Sequence, residues 1–492
     1  MKPNPKRKSV YRSQNATLGA LFERAGDPRK VICVPLDYAK RKHVALVCDG
    51  HGDILKGAFP VENNPAGVAW LIEQISATAR HRKIPKNQIF FGGEDEPAYV
   101  ANFTAALREA GYLVMRVNAH EAKENRETHA ASTDQLDLIG IAKTLLSRRA
   151  RSSGDASPEN PAYYHLRELA RCRRSLVRQQ TATANRIHAL VDQLFPGFLD
   201  DSKTGITAFH EASLELMKDR FSAPEIAKRK PLALAKTLRR LRVHHPDEAA
   251  AKIITLARSV LPPAPHRVAT LQRTLTASVD LHQCLSRNAN ELRTDAALTL
   301  ATTPYAMLTS IRGIGFVLAA GVAGELGDPT ALGTTDSLCC YAGIIPKTLQ
   351  SGGPDSPPVQ GHVSPRCNHI LKDWVVQSAQ KIHLYGVPEH KDRITRWNAE
   401  GRSGLYAGAR HYLRLLRSLV KNQVPYLAPT GRTRGAAPEE LALAAQDTWK
   451  VMQNKWRTIP GGLDLMLDEA HPLGFWRRVV KETHDIQLPT RL

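Results

Sequence analysis

Two short apolar runs that each stop on a carboxylate constrain this chain more than any other feature. Val31-Ile32-Cys33-Val34-Pro35-Leu36 ends on Asp37, and Ile89-Phe90-Phe91-Gly92-Gly93 ends on Glu94. Runs of this length and composition read as buried strands. Two further acids, Asp134 and Asp137, stand three apart where a helical stretch begins. In an open sheet, ligands gather at the C-terminal ends of the strands, so strand-end acids and a helix-borne pair can converge there. Such a cluster repels itself unless cations hold it, and Mg²⁺ is the hard, oxygen-seeking candidate. Paired metals about 4 Å apart are a standard device for cutting phosphodiesters. Asp37, Glu94, Asp134 and Asp137 therefore point to a metal site acting on nucleic acid.

The order of elements around these acids sets the fold class. Strands are expected at about 31–36, 43–49, 53–59, 88–93 and 112–118, with helices at about 64–83, 97–110 and 133–149. Three antiparallel strands, then helix–strand–helix–strand, is the order of an RNase H or RuvC-like domain. That domain is expected over 31–150, behind a disordered basic arm at 1–30. Lys40 and His43, beside the first acid, read equally well as phosphate contacts or as ordinary residues next to a strand.

The rest of the chain reads as helical, giving an α/β plus α class overall. After a linker at 151–158, a heptad seam runs from Leu166 to Leu194 and a second from Val268 to Leu292, both polar at the centre. They predict an antiparallel hairpin or a dimer arm, in a coiled-coil region spanning 160–300. A basic helical insertion at about 198–262 interrupts it, and the sequence assigns that insertion no role. A mainly helical domain is expected over 303–425. Within it, Leu308–Ala320 reads as helix, Gly313-Ile314-Gly315, helix, a helix-hairpin-helix-like pattern. Its glycines permit a tight turn, and the N-terminus of the second helix favours an anion. Arg312, Gly313 and Gly315 are thus candidate contacts to a DNA backbone. Arg366 and Lys372, at the start of another helix, are candidates of the same kind. The extension over 426–492 carries Trp449, Trp456 and Trp476 and reads as an oligomer or nucleic-acid surface.

Charge supports a polyanionic partner: 68 Lys+Arg against 47 Asp+Glu give a net charge of +21 over 492 residues. The window 141–190 alone holds ten Lys/Arg against three acids, a phosphate-facing or simply solvated basic surface. No apolar stretch approaches the roughly 18 residues of a membrane span. The basic N-terminus lacks the apolar core of a secretory signal. Seven cysteines without a Cys-x-x-Cys pair argue against a zinc ribbon and a disulfide framework. A reduced, cytoplasmic protein is expected, meeting DNA in the nucleoid.

Together these motifs resemble the bacterial insertion-sequence transposases that join an N-terminal Asp-Glu-Asp-Asp RuvC-like domain to a C-terminal serine-bearing domain. That family includes pilin-gene invertases and recombinases directed by a bridge RNA. The resemblance rests on Asp37-Tyr38-Ala39-Lys40, on Glu94 with Tyr99, on Thr133, Asp134 and Asp137, and on Gly313–Gly315. It rests further on Tyr341–Pro346, Gln350-Ser351-Gly352 and Asn368-His369-Ile370-Leu371-Lys372. It spans roughly 31–195 and 266–420. Pro97, Ser132 and Leu138 depart from the family pattern, and none of these departures removes a carboxylate.

The resemblance implies a transposase or site-specific DNA recombinase. Ser351, which alone reads as an ordinary loop serine, would be the nucleophile, and Mg²⁺ would sit on Asp37, Glu94, Asp134 and Asp137. It also implies a homo-oligomer, dimer or tetramer, and a structured guide RNA that reads sequence by base pairing. Three alternatives stay open on the residues: a DNA invertase, a metal-only RuvC-like resolvase or nuclease with a structural serine, and a non-catalytic nucleic-acid-binding descendant.

Overall fold

The computed structural model describes residues 15–94, 98–126, 133–152, 161–345, 348–349, 359–360, 363, 367–401, 403–427 and 437–490. It divides into two compact units, Met1–Glu159 and Asn160–Leu492. In the first, α1 (Ala16–Ala25) precedes β1 (Ile32–Asp37), β2 (Lys42–Asp49), β3 (Ile54–Glu62), α2 (Pro65–Arg82) and β4 (Ile89–Glu94). There follow α3 (Ala101–Glu109), β5 (Leu113–Val117), α4 (Ala119–Glu124), α5 (Asp134–Leu146) and the two-residue β6 (Arg151–Ser152). The sheet order is β3-β2-β1-β4-β5-β6. β1 pairs with β2 antiparallel and with β4 parallel, and β4 pairs with β5 parallel. The expected strands thus appear within a few residues of their predicted bounds. The arm expected to be disordered over 1–30 carries α1, because Leu18, Leu21 and Phe22 form an apolar stripe that packs into the core.

Period-two alternation gives this sheet two buried faces. Ile32, Val34, Leu36, Ile89 and Phe91 pack toward α2 and α3. Cys33, Phe90 and Met115 pack on the opposite face with Leu138, Ile141 and Leu145 of α5. Helix α5 comes close to α4 because residue 140 is glycine. A Cβ there would lie 2.3 Å from the carbonyl oxygen of Ala122.

In the second unit, α6 (Ala162–Leu194) and α12 (Pro265–Ala301) frame α7 (Asp201–Thr204), α8 (Glu211–Lys218), α9 (Ala223–Ala227), α10 (Pro231–Arg240) and α11 (Pro246–Ser259). Tyr163, Leu166 and Ala170 at the start of α6 share a core with Ala296–Ala301 at the end of α12. Ile187–Leu194 share another with Leu275 and Val279. The two helices therefore run antiparallel, as a hairpin. The insertion over 198–262, for which no role is readable in the sequence, joins this second core at the hairpin tip, where its Phe198 and Phe221 pack on Phe195 at the end of α6.

Next come a seven-residue 3₁₀ helix (Pro304–Ser310), α13 (Phe316–Leu326), α14 (Thr335–Tyr341) and the short antiparallel pair β7 (Thr348–Leu349) and β8 (Val359–Gln360). They are followed by α15 (His369–Tyr385), α16 (Pro388–Ala399), α17 (Gly404–Asn422), α18 (Pro438–Trp456), α19 (Gly462–Leu467) and α20 (Pro472–His484). Trp449 and Trp456 are fully buried and Trp476 nearly so, in one core with the ends of α6 and α12. This corrects their reading as a surface: large aromatic area is spent on packing the tail onto the domain before it. Among the described residues no helix is long and apolar enough to cross a membrane.

Candidate functional site

The four acids share one face of the first unit, and the reason lies in strand parity. Asp37 has the parity of Cys33 and Glu94 that of Phe90, so both acids belong to the face that packs on α5. The parallel register runs to Leu36 opposite Gly93, so β1 and β4 end level on the two acids. Asp134 and Asp137 occupy the first turn of α5, behind the N-cap Thr133, whose hydroxyl accepts from Leu136 N–H. Their three-residue spacing continues into the buried Leu138 and Ile141, so the pair sits on the side of α5 that meets the sheet. Carboxylates in the first turn also complement the helix dipole.

Burial, then the charges of Asp137 and Asp134, raise the Asp37 carboxyl above the ordinary carboxylate range, while Arg126 pulls it down. Three acids are therefore close enough to feel one another. Arg126, just beyond α4, pairs with Asp137, and both side chains are largely shielded, at 13% and 20% exposed. Sequence reasoning missed Arg126: it is a lone cation in a connecting segment. Among the described residues, no three His, Cys, Asp or Glu side chains stand close enough to hold a metal. The donor set nevertheless fits a hard divalent cation, being all carboxylate, on one face and mutually repelling. In this arrangement the counter-charge is the Arg126 guanidinium.

Of the other sequence candidates in this unit, Lys40 is exposed. His43 is fully buried, accepts a hydrogen bond at Nδ1 from Ala39 N–H at 3.2 Å, and packs its ring on Phe103. Burial lowers its pKa. His43 thus braces the turn that follows Asp37, which corrects its reading as a phosphate contact.

In the second unit the Gly-Ile-Gly turn forms as predicted, although its first arm is 3₁₀ rather than α. The hydroxyls of Thr309 and Ser310 bond to carbonyls three residues back, which favours the tighter turn. Gly313 has φ +93°, and a Cβ there would lie 2.5 Å from the Lys381 carbonyl oxygen, so only glycine fits. Arg312 and Gly315 are exposed. Lys372 lies with its ammonium over the Tyr406 ring at 5.5 Å. Arg366 and Ser351 fall outside the described residues.

The segments flanking the serine loop are held by the motif residues Tyr341 and Asn368 together with Glu325 and Arg171, which the sequence did not reveal. Buried Glu325, on α13, accepts two hydrogen bonds from Arg171 of α6 (2.7 and 2.9 Å) and one from Asn368 Nδ2 (2.7 Å). Asn368 also donates to the Tyr341 hydroxyl, and its Oδ1 caps α15 at Ile370 N and Leu371 N. Its backbone N–H donates to Tyr341 O at 2.7 Å. The chain entering the loop at Tyr341 and the chain leaving it at Asn368 are thereby fastened together.

Two family models and one relative match this chain. The DEDD transposase family of the IS110 type matches residues 34–196. The transposase family IS116/IS110/IS902 matches residues 305–394. An uncharacterized 44.8 kDa protein of insertion element IS116 from Streptomyces clavuligerus is 27% identical over 379 residues, covering 75% of this chain and 89% of its own length.

Proposed function

We propose that this chain, which belongs to the insertion-sequence transposases of the IS110/IS116 type and so to the enzymes that cleave and transfer DNA, cuts and rejoins strands through Ser351. The Ser351 hydroxyl attacks a DNA phosphate, forming an ester to phosphorus as the bond to the leaving sugar oxygen breaks. The serine proton leaves with that oxygen, and the reverse exchange reseals DNA without ATP. Asp37, Glu94, Asp134 and Asp137 would hold Mg²⁺, which when bound supplies charge stabilisation at the phosphate. Arg126 would keep the acid face assembled until the cation arrives. The observation that supports this reading is that Asp37 and Glu94 end neighbouring strands on the side of the sheet packed by α5, with Asp134 and Asp137 in the first turn of that helix, all within the residues matched by the DEDD family. The sheet order supports the RuvC-like assignment.

The working unit in this reading is a homo-oligomer in which one subunit's serine serves another's acids. The exposed Arg312 hairpin grips backbone, and a structured RNA supplies sequence by pairing. The test is Ser351→Ala with labelled DNA carrying the element ends. Loss of both cleavage and the covalent protein–DNA adduct is expected. Mg²⁺-dependent cleavage that persists without an adduct would hand the chemistry to the acids alone.

A further inference from the structure

Three backbone carbonyls of the Gly-Ile-Gly turn converge on one ammonium. Lys455, near the end of α18, donates to Thr309 O at 2.6 Å, Ile311 O at 2.9 Å and Ile314 O at 2.8 Å. An ammonium has three N–H donors, so all of them are used inside the turn and none is left for a ligand. The same helix fixes the turn again through Trp456 Nε1, which donates to Thr309 Oγ1. Just before it in sequence, Tyr426 N–H donates to Ser310 Oγ at 2.7 Å. A trans peptide sets its N–H opposite its C=O. With the Ile311 and Ile314 carbonyls turned inward to Lys455, the N–H groups of Arg312 and Gly315 on those same planes point outward. Gly315 also caps α13, an eleven-residue helix whose N-terminus carries partial positive charge.

We infer that Lys455 is a tethered cation for this turn, filling a carbonyl cradle that would otherwise take a potassium-sized ion and adding its charge beneath a backbone phosphate held by the outward N–H groups. The cradle is a ring of oxygens around a single positive centre, the coordination an alkali cation takes. The fixed charge favours a polyanion above the turn without touching it, and the exposed Arg312 adds a second charge alongside. Burial and the Arg312 charge draw Lys455 down to about 8, so it is protonated at neutral pH. The three carbonyls act in the opposite sense and favour the ammonium. The C-terminal extension is thereby a working part of the nucleic-acid grip. The phosphate part of this inference rests on the reading of the chain as DNA-binding.

The test uses full-length protein with Lys455→Met, melted and titrated with labelled duplex DNA over a series of KCl or LiCl concentrations, the two salts matched in ionic strength at each step. Wild type should melt and bind alike in both salts. K455M should bind roughly tenfold more weakly in LiCl, with a salt slope shallower by about one. KCl should both raise its melting temperature and restore much of the affinity. A variant whose melting ignores the cation, or which binds like wild type in LiCl, overturns the inference. Cation-selective melting with unchanged DNA affinity keeps the cradle and removes its phosphate role. Should K455M not fold in either salt, K455Q carries the test, because its neutral amide still donates into the cradle. It should bind DNA weakly in both salts, and wild-type affinity would refute the charge. None of these readouts involves strand cleavage, so they remain decisive even if Ser351 proves inert.

Discussion

Replacing Gly140 with alanine should separate the two elements that carry Arg126 and Asp137. The new Cβ would stand 2.3 Å from Ala122 O and 3.1 Å from Arg126 Cγ, where ordinary contact begins at 3.4 Å. The Ala122 contact is backbone, so α4 must retreat by roughly 1 Å, an overpacking that costs about 1–3 kcal/mol. Alanine returns about 1 kcal/mol through its helix propensity, leaving a net loss of about 0–2 kcal/mol. Gly19, inside α1, is the internal control: nothing lies within 4 Å of its would-be Cβ, so Gly19→Ala should stabilise by about 0.5–1 kcal/mol. Tryptophan fluorescence reports poorly here, since Trp70 alone among six tryptophans belongs to the first unit. Hydrogen exchange of the α5 amides, followed by mass spectrometry, resolves the site directly. G140A should exchange faster and G19A no faster than wild type, with cleavage by G140A falling further than its stability because Arg126 moves off Asp137. Equal protection of α5 in G140A and G19A would refute the claim that close approach of α4 positions the acid face.

Two other outcomes follow from buried charge. Arg126→Met leaves Asp37, Asp134 and Asp137 without their counter-charge, and should cost about 1–3 kcal/mol in EDTA after allowance for partial exposure. Mg²⁺ should restore most of that loss, and unchanged melting in EDTA would sink the idea that Arg126 holds the acids together. His411 is drawn from 6.5 to about 4 by burial, then by Arg393, His390 and Arg414. Its folded pKa lies below its unfolded one, so its neutral form's contribution is fully present above pH 6.5 and is lost as pH falls toward 4. Urea midpoints between pH 7 and 4 should drop by an amount equivalent to about 2–3 kcal/mol, and His411→Gln should flatten that slope.

What the sequence disclosed was whatever depends on period and order. Asp37 and Glu94 were legible because each closes an apolar run, and Asp134 with Asp137 because three-residue spacing fixes a shared side of a helix. The Gly313–Gly315 turn was legible because glycine is punctuation. Arg126 was hidden, since its partnership with Asp137 depends on a helix crossing at Gly140 and not on any local pattern. Glu325 and Arg171 lie 154 positions apart, and Lys455 lies 146 from Thr309. Pairings at such separations leave no trace in a single chain. The tail tryptophans misled for a different reason: indole suits an interface and an interior equally, and only packing tells them apart. Likewise His43, near the start of β2, could face either way until Phe103 closed over it.

The long antiparallel pair has a mechanical meaning. Neither apolar core includes any α6 residue between Ala170 and Ile187, nor any α12 residue between Val279 and Ala296. Two anchored ends are thus joined by a neck whose buried apolar side chains, among the described residues, are Leu285 and Ala289 of α12, and the bundle at the far end can be exchanged, enlarged or worn down by evolution without loosening the base where the serine-bearing segment is rooted.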